Sequence, residues 1–80
     1  MSSISFEQFA TEFAKDLEIE GQEFISLPLK EIPEYDSMGL ITASLTIERL
    51  FDFEISLETL DETDSLNSLF EYCVNYKNSN

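Results

Sequence analysis

The sequence predicts an all-α protein, a small four-helix bundle of three main helices and one short helix with a long first loop. Three observations carry this prediction. Apolar residues recur at intervals of three and four in segments near the N-terminus, the centre and the C-terminus. Nowhere do they alternate as in a half-buried strand. Both prolines, with Gly21, fall within residues 18–35 and mark one long connection. No internal repeat or low-complexity segment breaks the pattern, so residues 1–80 are read as one domain.

The first helix is expected over 6–17. Phe6, Phe9, Ala10, Phe13, Ala14 and Leu17 form one apolar stripe. Ser5 is placed to cap it, Gln8 to close a capping box, and Ile4 and Phe9 to form a hydrophobic staple. In the loop that follows, Phe24, Ile25, Leu27, Leu29 and Ile32 are the expected anchors. The second helix lies in "SMGLITASLTIERLFDF", where Leu40, Ala43, Ile47, Leu50 and Phe51 form one stripe. Met38, Ile41 and Leu45 form another, rotated away from the first. A helix apolar on two sides is deeply buried or shows one side to a partner. Gly39 and the β-branched Ile41, Thr42, Thr46 and Ile47 weaken its intrinsic propensity, so packing must hold it. A short third helix is expected over 57–61 behind Ser56. The last helix places Leu66, Leu69, Phe70, Cys73 and Val74 on one face. Thr63 or Asp64 is its expected cap, with Ser65 in the opening turn and "NSN" a frayed tail.

Composition narrows function. Four basic residues stand against 17 acidic ones, a net charge of −13. Nucleic acid and anionic membranes are repelled, and basic protein surfaces are attracted. The chain has no histidine, which removes Ser–His and Cys–His nucleophile pairs and imidazole zinc sites, so no enzyme is expected. Cys73, the one cysteine, forms no internal disulfide and sits on a core stripe, where a buried inert thiol is expected. Tyr72 and Tyr76 lie beside that stripe, with packing as the default. "LDETDSLNSL" lacks the glycine and the spacing of an EF-hand loop, so no metal site is expected. No run of about 18 apolar residues predicts a membrane span. "MSSISFEQF" lacks the pattern of a signal peptide, and the chain is read as cytoplasmic.

Two serines open helices after an aspartate, in "DSMGLI" and "DSLNSLF". Helix capping explains Ser65 completely. Ser37 follows a long loop, should be exposed, and opens the helix with the second apolar stripe. A phosphate ester there would meet free N–H groups at the helix N-terminus. Asp36, a neighbouring negative charge, suits a modifying enzyme or its metal better than it suits the phosphate. Local physics alone still favours a cap at Ser37.

"EYDSMGLITASLTIERLFDFEI" resembles the central segment of acyl carrier proteins. In that family an Asp-Ser-Leu motif opens the second helix, matched here by Asp36-Ser37-Met38 with Met for Leu. An aromatic residue, an acidic residue and an isoleucine close it, matched by Phe51-Asp52-Phe53-Glu54-Ile55 without gaps. "LKEIPEYDSM" further resembles the approach to the serine in specialised, free-standing carriers, with Tyr35 where tryptophan is usual. Helix order, loop, charge and length agree, so the resemblance spans essentially the whole chain. It implies an acyl-carrier-like bundle carrying 4′-phosphopantetheine on Ser37, placed there from coenzyme A by a phosphopantetheinyl transferase. The arm's thiol would hold an acyl or aminoacyl group as a thioester, and the protein would present it without catalysing transfer. Asp36 would help the transferase recognise the motif. Met38, Ile41, Leu45, Glu48 and Asp52 would meet basic patches of the loading ligase and of acyl-transferring enzymes. A monomer without membrane insertion is implied, with an interior that could shelter an acyl chain. The chain departs from the family at Thr42, where a glutamate is usual, and at Gly39, where a polar residue is usual. Those departures point to a dedicated partner set, in secondary metabolism or surface-glycan synthesis, more than to general fatty-acid enzymes. Glu34-Tyr35 replaces the Gly-Gly of peptidyl carriers. The rival reading is an acidic helical adaptor that binds a basic partner with no modification.

Overall fold

A computed structural model describes residues 4–79. Four helices appear in order: α1 Phe6–Leu17, α2 Ser37–Phe51, α3 Leu57–Glu62 and α4 Leu66–Ser79. Two 3₁₀ turns, Glu23–Ser26 and Leu29–Glu31, punctuate the long first connection. The protein is therefore the expected small all-α bundle. No described helix is long and apolar enough to cross a membrane.

Local chemistry sets the helix ends. The Ser5 hydroxyl accepts the Gln8 backbone N–H at 3.1 Å, so α1 starts where expected. Only this half of the capping box is made. Ser56 caps α3 in the same way, accepting from the Thr59 N–H at 3.1 Å. α2 stops at Phe51 because Asp52 turns left-handed, with φ of 62°, and its N–H returns to the Glu48 carbonyl. Aspartate tolerates that conformation better than most side chains.

α4 departs from expectation at both ends. Its cap is Ser65, not Thr63 or Asp64: the Ser65 hydroxyl accepts the Ser68 N–H at 3.1 Å. The cause lies in the first loop. The Leu29 N–H donates to the Asp64 carbonyl at 2.8 Å, and Pro28 and Ser65 form an isolated bridge. That pairing keeps residues 64–65 extended, so the helix begins one position later. At the other end the expected tail is helical through Ser79, while Asn80 lies outside the described residues. Tyr76 stacks on Phe53 at 4.0 Å, which ties the late turns of α4 to the segment after α2.

The core joins all four helices and the loop. Phe9, Phe13, Leu29, Ile47, Leu60, Leu66, Leu69 and Cys73 are fully buried. Aromatic rings run through it in a connected series. Phe24 and Tyr35 flank Phe13, Phe13 neighbours Phe9, and Phe9 meets both Phe51 and Phe70. Ring pairs at these spacings add roughly 0.5–1.5 kcal/mol beyond simple burial. Among the expected loop anchors, Phe24, Leu29 and Ile32 are buried and Ile25 is half-buried. Leu27 is a correction: it lies exposed between the two 3₁₀ turns.

Phe13→Ala removes the ring at the centre of this series and should cost about 3–5 kcal/mol. Chemical denaturation measures it. A loss below about 1 kcal/mol would reject this packing.

Candidate functional site

The loop is built to deliver the chain to the start of α2. Ile32 is buried, and its carbonyl accepts the Tyr35 N–H at 2.9 Å. Tyr35 then turns into the core beside Phe13, with ring centroids 6.0 Å apart. Its hydroxyl donates to the Leu60 carbonyl of α3 at 3.1 Å. Burial, reinforced by the charge of Asp61, pushes the Tyr35 phenol well above its ordinary pKa. The residue before the motif is thus fastened to two helices.

Asp36 is the cap of α2. Its Oδ1 accepts the Gly39 N–H at 2.9 Å, and its backbone carbonyl accepts the Leu40 N–H. This corrects the local preference for a cap at Ser37. Ser37 is the first helical residue, and its side chain is exposed with no hydrogen bond. Ser65 contrasts at every point. Its hydroxyl accepts the Ser68 N–H and donates to the Ser68 hydroxyl, each at 3.1 Å. Only one of the two serines has an unoccupied oxygen.

Gly39 has a role beyond the weakened helix propensity expected of it. It is buried, and a Cβ built there would overlap the Glu34 carbonyl oxygen, with the Leu17 side chain 3.5 Å away. Only a residue without a side chain lets the loop backbone lie against the first turn of α2. A glycine in a helix's first turn is the signal that could have revealed it.

Beyond that turn, α2 divides into faces. Gly39, Ala43, Thr46, Ile47 and Phe51 are buried, with Leu40 and Leu50 half-buried. The opposite face holds Ser37, Ile41, Leu45, Glu48 and Asp52, at helical spacing, with Met38 at its edge. Met38 is 68% exposed, Leu45 60% and Ile41 44%. The second apolar stripe therefore faces solvent, in line with Ser37 at one end and two carboxylates at the other.

A polar seam on a third side was not legible from the sequence. The Thr46 hydroxyl lies 2.6 Å from Asp16 Oδ2 and 3.0 Å from the Thr42 carbonyl. Arg49 pairs with Asp16 at 2.6 Å and with Glu12 at 3.1 Å. The spacing of Glu12 and Asp16 one turn apart, beside the α1 stripe, was the available clue. Burial by itself would raise the Asp16 pKa; the hydrogen bonds from Thr46 and Arg49 outweigh it and hold the carboxyl below its ordinary value. Pairing draws Arg49 toward α1 and leaves Glu48 and Asp52 on the outward face.

Other candidate chemistry is sparse. Cys73 is buried, and burial pushes its thiol up to about 12. No group of acidic or cysteine side chains among the described residues is arranged to hold a metal ion. An open groove of about 570 Å³ runs along α1, lined by Phe6, Ala10, Ala14, Phe24 and Ile25. No residue of α2 contributes to it. No family model, curated protein or solved structure matches this chain.

Two outcomes follow. Gly39→Ala should lose about 1–3 kcal/mol through overlap with the Glu34 carbonyl, although helix propensity alone predicts a gain of about 0.5–1 kcal/mol. An unchanged or raised melting temperature would reject the close approach. For Asp16, the lowered folded-state pKa means its contribution is present above the unfolded value and disappears as pH falls through the folded one. Stability should therefore drop more steeply in the native chain than in Asp16→Asn as pH falls below about 4. Parallel acid limbs in urea titrations would remove the seam from the stability account.

Proposed function

We propose that this chain is an acyl carrier protein with Ser37 as the attachment point of 4′-phosphopantetheine. One observation carries the reading. Asp36 takes over the cap, so the Ser37 hydroxyl stands at a helix N-terminus, exposed and without a partner. In the transfer, Ser37 Oγ attacks the phosphorus of coenzyme A that bears pantetheine. A new P–O bond forms, the pyrophosphate bond breaks, the nucleotide bisphosphate leaves, and the hydroxyl proton is lost. A phosphopantetheinyl transferase supplies that catalysis, since the chain has no histidine to act as base. The product phosphodiester lies at the positive end of the α2 dipole.

The arm's thiol then holds an acyl or aminoacyl group as a thioester. Tethering raises the effective concentration of that group at a docked enzyme without any new contact. Docking uses Met38, Ile41 and Leu45 as apolar contacts, with Glu48 and Asp52 facing basic residues of the loading and transferring enzymes. The chain works as a cytoplasmic monomer and presents its cargo without catalysing the transfer itself. Thr42 stands where a glutamate is usual, so α2 carries fewer carboxylates than a general fatty-acid carrier uses, which favours a dedicated partner set.

Intact mass tests the proposal. The native chain, Ser37→Ala and Ser65→Ala are incubated with coenzyme A, Mg²⁺ and a broad-specificity phosphopantetheinyl transferase. The native chain and Ser65→Ala should each gain one phosphopantetheine, and Ser37→Ala none. Ser37→Ala should also remain folded, since it removes no hydrogen bond. No gain on the folded native chain, repeated with a transferase from the source organism, would replace this proposal with the unmodified adaptor.

A further inference from the structure

Past the end of α2 an aromatic stack reaches the surface. Phe53 and Tyr76 lie nearly parallel, with centroids 4.0 Å apart and planes 18° from coplanar. Tyr72, one turn earlier on α4, continues the stack 6.3 Å from Tyr76. Phe51 anchors Phe53 to the core at 6.5 Å. Tyr72, at the outer end of the stack, is 41% exposed, and Tyr76, between it and Phe53, is 39% exposed. Tyr72 meets no ring but Tyr76 among the described residues, so it enlarges the exposed platform without sealing the core.

Flat aromatic faces suit a second copy of the chain, a nucleobase or a planar cation. Charge separates them. Each copy carries −13, so two copies repel at stacking distance, and nucleic acid is repelled likewise. Exposed carboxylates are chain neighbours of the rings: Asp52 and Glu54 flank Phe53 in sequence, and Glu71 precedes Tyr72. A guanidinium is planar and weakly hydrated, and can stack on a ring while donating to a carboxylate; an ammonium lacks the planar face. We propose that the Phe53–Tyr76–Tyr72 stack is a docking site for an arginine side chain of a basic protein partner. It adjoins Asp52, the last residue of the outward α2 face, so one partner can span both. The inference rests on recognition of a basic partner, which the carrier and adaptor readings share, and not on a group at Ser37.

Hexa-arginine and hexa-lysine peptides, equal in charge, serve as probes against the full chain, with binding read by fluorescence anisotropy at low salt. Hexa-arginine should bind about two- to fivefold more tightly, the range exposed cation–π contacts supply. In Tyr72→Ala the ratio should fall to one while hexa-lysine affinity holds. Tyr72→Leu keeps apolar bulk but removes the ring face, and should behave the same way even where the alanine variant is poorly folded. Equal affinities in the native chain, or a ratio that persists in both variants, would overturn the site. So would a dimer in sedimentation that Tyr72→Ala abolishes, because the stack would then be covered by a second copy. The mass gain at Ser37 is independent of every one of these results.

Discussion

The start of α2 depends on the ring of Phe13. It is fully buried on α1 and neighbours Phe9 on its own helix, Phe24 in the first loop and Tyr35 just before the motif. A loop of this length gives its ends wide freedom unless side chains hold it down. Phe24 and Tyr35 do so by lodging against one ring from two points along the connection. Tyr35 then reaches α3 through its hydroxyl, so the short helix is held by the same cluster. The order of the first turn of α2 is thus inherited from α1.

That turn divides its tasks among three of its first four positions. Asp36 satisfies a backbone donor, Gly39 admits the Glu34 backbone, and Ser37 is left with nothing structural to do. A serine that capped the helix would have its oxygen engaged, as Ser65 does. Freedom of the Ser37 hydroxyl is therefore a result of its neighbours' chemistry. The same division explains how two short, similar motifs in one chain reach different ends. After Asp64 the chain is pinned to Leu29 through its carbonyl, and the cap passes to the serine.

The helices were legible because their signals are local. The stripe from Phe6 to Leu17, the caps at Ser5 and Ser56, and the two-sided pattern of α2 need only spacing. What stayed hidden depends on residues far apart in the chain. The start of α4 moved because Leu29 pairs with Asp64. Gly39 looked like a weak helix former because the Glu34 carbonyl that requires it comes from the loop. Thr46 looked like a β-branched defect, yet it is buried with its hydroxyl against Asp16, thirty positions away. Leu27 is as apolar as the anchors, yet its place between the two 3₁₀ turns leaves it exposed. At the motif, residue types named the serine, but the identity of the cap required geometry.

The inward pairing of Arg49 has a consequence for timing. Arg49 is the only cation on α2, and Glu12 and Asp16 hold it against α1. The only formal charges on the outward face are then the carboxylates of Glu48 and Asp52, both at the end away from Ser37. A positively charged partner arriving by diffusion is drawn in and turned before contact, which shortens the search for the right orientation. Once docked, it holds mainly exposed charges and a narrow apolar strip, and such contacts release quickly. Fast arrival with short residence would serve the carrier proposed above, and both rest on where a single guanidinium is parked.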